Sequence, residues 1–343
     1  MCKKLILSFL LVFALSGLSF GQATNWNVNG RPTSDWFSTF DTPRNVPLQW
    51  MRSIDEIVGA GSSIGTGHIF YVDANVDNEG DGSSWQNATD TLAEAIALCT
   101  DDNGDIIMVA QGSDETWSTA AGSADLDVDG VTIIGVGNGT LQPTFTMTHI
   151  DATFTVSGAN CRIYNLRFVS NLDNVKVLVT MAATSDGSEV IGCTFRDSAA
   201  DKDYLVGISV AALAPDVKII GNDFRTTVSA GGNNAILSTA NTNLDIIGNT
   251  IYGKFATGGV LTSGVLVSSM ITDNIIVNAE SAIAIALNGT TSTGVLARNF
   301  LGGTTSIAAA LTGDDAMWCF ENYISGAAGA SGLLDPTADG DGG

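Results

Sequence analysis

The chain of 343 residues repeats one short phrase seven times, and this repeat constrains its fold more than any other feature. In each copy, a marker residue has an apolar residue three positions before it and another two positions after it. The markers are Leu166, Cys193, Asn222, Asn249, Asn274, Asn299 and Asn322. Their spacing of about 23 to 29 residues is typical of a solenoid, in which each repeat forms one turn of a coil. A weaker copy precedes them at Val131 to Asn138.

The repeats have the composition of strands, because Ile, Val, Thr, Asn and Gly dominate them and the spacing of an amphipathic helix is missing. Short stretches such as Val217-Lys218-Ile219 alternate between apolar and polar residues. Several of these stretches are followed by a Gly-Asn pair, which tolerates left-handed backbone angles. Each repeat is therefore expected to contain several short strands joined by tight turns.

Two apolar columns appear when the copies are aligned on the marker. Parallel strands about 4.8 Å apart would turn such columns into continuous interior ladders, as in a parallel β-helix. The column two positions after the marker holds Phe168, Phe195, Phe224, Ile251, Ile276, Leu301 and Ile324. The column three positions before it holds Ile163, Val190, Ile219, Ile246, Ile271, Leu296 and Cys319.

Two further columns test the same alignment. Four positions before the marker stand Arg162, Glu189, Lys218 and Asp245, whose charges alternate in sign, so adjacent strands in this register place opposite charges side by side. The marker column itself ends in five asparagines, which we interpret as a turn ladder with hydrogen bonds from side chain to side chain and no chemical role.

The phrase Ile219-Ile220-Gly221-Asn222-Asp223-Phe224 resembles the rungs of right-handed parallel β-helix proteins of the pectate-lyase-like superfamily. The resemblance extends from Ile69 to Ile324 and includes an opening segment with Tyr71 to Asn75, Asp81 to Trp85 and Gly104 to Ala110. It implies an all-β fold with a single right-handed parallel β-helix solenoid, and the general handedness of parallel crossovers agrees. We place this solenoid at residues 67–326.

The ends of the coil need cover, because open strands recruit other chains. Thr91 and Glu94 form the capping box of a helix, predicted at about residues 91–100 as an N-terminal capping α-helix. No comparable plug is expected at the C-terminal end, where residues 327–343 form a tail rich in Gly, Ala and Asp.

Residues 1–21 have the basic start, apolar run and small residues of a secretory signal peptide. Residues 22–66 form an arm that holds three tryptophans. This arm either packs along the coil's own flank or docks on a neighbouring subunit, and together with the open C-terminal rung it predicts self-association. The mature chain is expected to be secreted, extracellular or at a cell surface, with no membrane span.

Charge and cysteine content exclude several partners. Removal of the signal peptide leaves 12 basic against 36 acidic residues, a net charge of about −24, which repels nucleic acid. The four cysteines of the mature chain form no C-x-x-C pair and only two histidines accompany them, so zinc is not expected. No disulfide can be assigned from the sequence.

The resemblance implies where chemistry would be sought. Lyases of that superfamily place acidic calcium ligands beside a basic proton acceptor on one outer sheet, and its hydrolases cluster aspartates. Here the catalytic candidates are Arg196 and Arg225, which fall in one column, with Asp197 and Asp223 beside them. Asp201 and Asp203 lie close in sequence. The alternative is that these residues only decorate the surface.

A candidate calcium loop is formed by Asp73, Asn75, Asp77, Glu79 and Asp81, whose side-chain oxygens alternate along the chain. The loop departs from the EF-hand pattern, because Asn78 stands at the glycine position and Ser84 at the bidentate glutamate position. It is either a looser calcium site or a solvated acidic turn. No other cofactor is expected.

Two functions from different classes fit these observations. The first is an exported non-catalytic β-helix protein with a structural, adhesive or assembly role at a cell surface, in an extracellular filament or on a virion. The alternative is a polysaccharide lyase or glycoside hydrolase acting on an acidic glycan. Beyond Ser229 the outward positions are expected to be mainly small residues, without the aromatic platforms that carbohydrate grooves use.

Overall fold

The computed structural model describes residues 67–120, 123–226, 232–280, 283–288, 291–303, 311–312, 317–326 and 331–333. The predicted signal peptide (1–21) and arm (22–66) lie outside the described residues, as does most of the predicted tail.

The described residues form a right-handed parallel β-helix, in which the chain passes through sheets A, B and C in turn and then begins the next rung. The prediction of an all-β solenoid is confirmed. Sheet A contains β1 (Ile69–Val72), β2 (Ile106–Val109), β5 (Thr132–Gly135), β8 (Arg162–Tyr164), β11 (Glu189–Ile191), β14 (Lys218–Ile220), β18 (Asp245–Ile247), β22 (Ser269–Thr272), β25 (Gly294–Ala297) and β28 (Met317–Phe320).

Sheet B follows sheet A across a short corner. It contains β3 (Asp114–Trp117), β6 (Thr144–Met147), β9 (Arg167–Ser170), β12 (Thr194–Asp197), β15 (Asp223–Arg225), β19 (Thr250–Gly253), β23 (Ile275–Asn278), β26 (Phe300–Gly303), β29 (Tyr323–Gly326) and β30 (Ser331–Leu333).

Sheet C completes each rung. It contains β4 (Asp125–Leu126), β7 (Phe154–Val156), β10 (Val175–Met181), β13 (Tyr204–Val210), β16 (Gly232–Ser238), β20 (Phe255–Thr262), β24 (Ile285–Leu287) and β27 (Leu311–Thr312). A small ladder between β17 (Asn241–Thr242) and β21 (Leu266–Val267) joins two of the turns that lead back to sheet A.

The predicted interior ladders are present in the expected register. Phe168, Phe195 and Phe224 are direct partners in sheet B, with ring centroids 5.5 and 4.4 Å apart, and the column continues through Ile251. All four side chains are buried. Burying each contributes about 1.5 to 3 kcal/mol, and stacked rings add about 0.5 to 1.5 kcal/mol per pair, so this column is a main source of cohesion between rungs.

The alternating charges also lie in register on sheet A. Glu189 is paired with Arg162 on one side and Lys218 on the other, with nitrogen-to-oxygen distances of 3.7 and 2.8 Å. Asp245 is the next partner of Lys218, and burial raises the pKa of its carboxyl. Exposed pairs of this kind contribute roughly 0.2 to 1 kcal/mol each, so their main effect is on register.

The asparagine ladder occupies the corner between sheets A and B. From Asn222 to Asn322, each side-chain amide donates to the Oδ1 of the next asparagine at 2.9 to 3.0 Å. The residue before each of these asparagines has a left-handed backbone, which Gly221 and Gly248 adopt without steric cost and Arg298 adopts at φ 56°. The ladder therefore satisfies buried polar groups where the chain turns sharply.

The N-terminal end is capped by helix α1 (Leu92–Leu98). Thr91 is its N-cap and accepts a hydrogen bond from the Glu94 backbone N–H at 3.4 Å. Leu92, Ala95 and Ile96 belong to the same buried core as the first rungs. The helix ends two residues before the predicted boundary, because Cys99 has an extended backbone. Two single 3₁₀ turns lie at Trp85–Asn87 and Gly139–Leu141.

The C-terminal end differs from the expectation of a wholly open rung. Strand β30, within the predicted tail, pairs antiparallel with β29 and covers the end of sheet B. Strand β28 ends sheet A, and within the described residues no further strand pairs with it. Among the same residues, no helix has the length and apolar character that crossing a membrane requires.

Candidate functional site

The predicted catalytic arginines lie together on the outer face of sheet B. Arg196 and Arg225 are direct partners on adjacent strands, as their shared column predicted. Asp223 lies between them: its Oδ2 is 2.6 Å from Nη2 of Arg196 and its Oδ1 is 3.0 Å from Nε of Arg225. Arg196 also donates from Nη1 to the backbone oxygens of Phe195 and Asp223. The three residues thus form a closed ion-pair network.

The structure separates Asp197 from this network. Asp197 follows Arg196 in β12 and faces the opposite side of the strand, where it is only 7% exposed. Asp201 lies in an exposed turn. Asp203 is buried just before β13, and its pKa is raised by burial and by a hydrogen bond with Asp173. The predicted aspartates therefore do not share one outward surface.

A third arginine extends the basic surface of sheet B. Arg167 lies one rung before Thr194 in the column that Asp223 also occupies. Burial and the neighbouring charge of Arg196 lower the pKa of its guanidinium. Arg167 also donates from Nη2 to the backbone oxygen of Gly139. Sequence reasoning missed this residue, although its position in a column with Asp223 could have revealed it.

This cluster is better suited to holding rungs together than to accepting a proton. An arginine keeps its proton in proteins and offers donors only, and both predicted arginines direct donors to Asp223. To remove a proton from a substrate, either arginine would first have to lose its own proton and its ion pair with Asp223. The arrangement can instead bind a further anion through its outward N–H groups.

The predicted calcium loop is divided by the structure. Asp73 and Asp81 each accept hydrogen bonds within their own turns, from Asn75 and from Ser83 respectively. Asp77 is exposed. Glu79 instead joins Asp90 and Glu94, with one carboxylate oxygen from each lying within 4.8 Å of the others. Burial and a hydrogen bond with Asp90 raise the pKa of Glu94.

Three of the four described cysteines have raised thiol pKa values and are not activated nucleophiles. None of the four cysteines in the described part of the chain, Cys99, Cys161, Cys193 and Cys319, forms a disulfide. Burial raises the pKa of Cys193 to about 12 and that of Cys161 to about 11, and burial with the nearby charge of Asp105 raises that of Cys99 to about 12. A thiol with such a pKa is protonated at neutral pH and unreactive.

The last described rungs carry exposed apolar side chains on their outer faces. The expectation of small outward residues beyond Ser229 is wrong on sheets A and B. Phe300 and Tyr323 stack on the outside of sheet B with ring centroids 5.7 Å apart, and Trp318 on sheet A is 76% exposed. Tyr252 and Ile275 are exposed nearby on sheet B.

Comparison with known proteins finds similar solved structures but no matching family. Neither a protein-family model nor a curated protein sequence matches it. Among solved structures, it is similar to a rhamnogalacturonan lyase at 12% identity and a TM-score of 0.40, covering 77% of this chain and 63% of the lyase. It is also similar to pectate lyase Pel9A at 13% identity and a TM-score of 0.38, covering 78% and 79% of the two chains.

A pectin methylesterase from Aspergillus niger is similar at 15% identity and a TM-score of 0.38, covering 80% of this chain and 94% of the esterase. With 63% of the rhamnogalacturonan lyase covered, the chain spans less than two thirds of that protein's length. At these identities the likeness concerns the fold alone. The strand topology itself defines the parallel β-helix.

Proposed function

We propose that this protein is an exported, non-catalytic β-helix protein with a structural, adhesive or assembly role. The observation that carries the proposal is the closed network of Arg196, Asp223 and Arg225. Three of the four predicted catalytic residues meet in it, and their charged groups are directed at one another across adjacent rungs. Such a network strengthens the contact between strands.

The character of the surface supports the same proposal. One outward-facing column of sheet C runs across five paired strands and contains no acid–base group. It holds Thr155, Thr180, Ser209, Leu237 and Leu261. The signal peptide predicted at residues 1–21 makes the chain an exported protein in this proposal. The net charge of the exported chain, 12 basic against 36 acidic residues or about −24, favours solubility outside the cell.

The second candidate is a lyase or hydrolase that acts on an acidic glycan. Its support is the grouping of Arg167, Arg196 and Arg225 on one outer sheet of an otherwise acidic protein. A carboxylate-bearing sugar could be held there by outward guanidinium donors. Under this candidate, Arg196 or Arg225 must exchange Asp223 for the substrate.

An activity assay separates the two candidates. The mature chain, residues 22–343, is incubated with polygalacturonate, rhamnogalacturonan and alginate, with and without calcium. Unsaturated products report a lyase and new reducing ends report a hydrolase. The proposal expects neither signal above that of a heat-denatured sample.

Turnover would contradict the non-catalytic proposal if it depended on the cluster. The decisive variants are Arg196→Ala and Arg225→Ala, and the matched control is Arg298→Ala. Arg298 also pairs with an aspartate, Asp273, at an exposed position, but it lies at the corner between sheets A and B. Activity abolished by the first two variants and kept by the control would assign catalysis to the cluster.

A further inference from the structure

The corner between β5 and β6 carries an Asn-Gly pair on the surface of the coil. Asn138 and Gly139 are both exposed. Asn138 is the N-cap of the 3₁₀ turn Gly139–Leu141, and its side chain makes no capping hydrogen bond. The amide group of Asn138 is therefore not held by the turn that follows it.

Gly139 is placed so that its backbone nitrogen is open to the side chain before it. The residue has a left-handed backbone at φ 61°, and a Cβ built on it would meet no atom within 4 Å. Its N–H begins the 3₁₀ turn, where no intrahelical acceptor exists, and it donates to no other group in the described part of the chain. Because glycine has no Cβ, its nitrogen is the least hindered of the backbone nitrogens.

Arg167 lies beside this pair. Its Nη2 donates to the backbone oxygen of Gly139, the residue directly after Asn138. The nearby charge of Arg196 disfavours the charged form of Arg167, and no carboxylate of the described residues forms an ion pair with it. A carboxylate at position 138 would give Arg167 an ion-pair partner.

We propose that Asn138 is a modification site, at which the side-chain amide is converted to a carboxylate that pairs with Arg167. The backbone nitrogen of Gly139 attacks Cγ of Asn138. The new C–N bond forms as the bond from Cγ to the amide nitrogen breaks, and that nitrogen leaves as ammonia with the proton of the attacking nitrogen. Water then opens the cyclic imide at either carbonyl, which gives aspartate or isoaspartate.

The modification changes the basic surface of sheet B with time. The attack requires a rotation about the Cα–C bond of Asn138, because its backbone is extended at φ −139° and ψ 159°. The product therefore accumulates slowly, and aged chains carry an added negative charge. That charge engages Arg167, the arginine of the cluster without an acidic partner, and withdraws it from external anions. The inference goes beyond the proposed function, since it concerns a covalent change that requires no enzyme.

A second Asn-Gly pair in the described chain provides an internal control. Asn103 Nδ2 donates to Oδ1 of Asp105 at 2.8 Å, and the Asn103 backbone N–H donates to the Thr100 oxygen at 3.2 Å. Asp105 is 1% exposed, so the first bond is anchored in the interior. The side chain of Asn103 must break that bond before it can react. Comparison of the two pairs therefore separates the effect of the structure from that of the dipeptide.

Peptide mass spectrometry of the mature chain, incubated in mildly alkaline buffer, tests the modification. The Asn138 peptide should acquire the deamidation mass and resolve into aspartate and isoaspartate forms at least about tenfold faster than the Asn103 peptide, which reacts only after local opening. In urea the two pairs should react at similar rates. Gly139→Asn should slow the reaction, because asparagine tolerates a left-handed backbone but its Cβ hinders the attack. No change at Asn138, or equal rates in the folded chain, would overturn the proposal.

Thermal unfolding of Asn138→Asp tests the pairing, since this variant carries the charge of the product. It should unfold at a higher temperature than the native chain, and high salt should reduce the rise. The rise should disappear in an Arg167→Gln background, where the glutamine keeps a donor but no charge. A rise that persists there, or no rise at all, contradicts the pairing. Neither measurement involves glycan cleavage, so failure here leaves the non-catalytic proposal standing, and turnover leaves the modification standing.

Discussion

At the scale of single residues, buried polar side chains hold the corners of the coil. The side chain of Asn274 makes four hydrogen bonds: Oδ1 accepts from the backbone and side-chain N–H groups of Asn249, and Nδ2 donates to the Ile246 backbone oxygen and to Asn299 Oδ1. It is 1% exposed. Replacing it removes all four bonds and leaves buried groups on two neighbouring rungs without partners.

Asn274→Ala is therefore expected to lower the free energy of unfolding by about 2 to 4 kcal/mol, measured by urea denaturation. The matched control is Asn233→Ala, which removes an exposed asparagine on sheet C and should cost less than about 0.5 kcal/mol. Equal effects of the two substitutions would show that the ladder contributes no stability of its own.

Glu115 makes stability depend on pH near the N-terminal cap. Its carboxylate accepts from the Leu92 backbone N–H at 2.9 Å and from Trp117 Nε1 at 2.7 Å. Burial raises its pKa in the folded state above the ordinary value near 4.5. The folded state then binds a proton more tightly than the unfolded state, so its contribution to stability is full below that ordinary value and declines as pH rises through the raised pKa.

The free energy of unfolding of the native chain relative to Glu115→Gln should therefore fall as pH rises from 4 to 7, because the glutamine does not titrate. Urea denaturation at several pH values measures this difference, with Glu321→Gln at an exposed position as control. A difference that grows with pH would mean that the two hydrogen bonds outweigh burial and that the pKa is lowered.

The sequence predicted much at this scale because stacked residues repeat. Phe195 and Phe224 pair as the columns indicated, and Glu189 pairs with Lys218. The sequence also placed Arg196 beside Arg225. It could not show that Asp223 bridges both arginines, because that depends on side-chain rotamers across a strand pair. The alternation that turns Phe195 inward also turns Asp197 inward, away from the arginines, a consequence that the sequence analysis did not draw.

At the scale of elements, the helix α1 is the cover of the first rung. Leu92 is fully buried in the core, whereas Leu98 at the other end of the same helix is 42% exposed. Leu92→Ala should lower the free energy of unfolding by about 2 to 5 kcal/mol, because it leaves a cavity beneath the helix. Leu98→Ala is the matched control and should cost less than about 1 kcal/mol. Similar costs, measured by thermal unfolding, would argue against packing of α1 as a plug.

Calcium binding near this helix stays a prediction, and the structure reduces the number of residues that could share one ion. If the acidic segment binds calcium, the carboxylates of Glu79, Asp90 and Glu94 are the group, within the part of the chain that the structure describes, whose oxygens lie close enough to share an ion. Calorimetric heat on calcium addition should then be lost in Asp90→Asn and kept in Asp81→Asn, whose parent carboxylate is engaged by Ser83. An absence of heat with the native chain ends the calcium hypothesis.

The elements divide into those the sequence could predict and those it could not. The repeated phrase covers the last residues of each sheet A strand, the corner and the start of sheet B. Sheet C carries no such phrase: Val175–Met181, Tyr204–Val210 and Gly232–Ser238 pair in register and share only an alternation of apolar residues. Turns of varied length precede these strands, so spacing from the marker does not locate them.

At the scale of the whole molecule, a solenoid should tolerate the loss of one complete rung. Each rung pairs only with its neighbours, so stability is approximately a sum over rungs and their contacts. Asp245 is the partner of Met270 in sheet A, and the corresponding asparagines, Asn249 and Asn274, are 25 residues apart. Deleting residues 245–269 joins Leu244 to Met270 and keeps every later residue in its column.

This deletion should leave a folded β-helix with a β-sheet circular dichroism spectrum and a cooperative thermal transition at a modestly lower temperature. Its new neighbours are compatible, because Phe224 would meet Ile276 and Asn222 would meet Asn274. Deleting residues 246–269 is the control, since one extra residue turns the following strand over and directs its apolar side chains to water. That variant should lose the transition. Equal behaviour of the two deletions would mean that the register of the columns does not determine the fold.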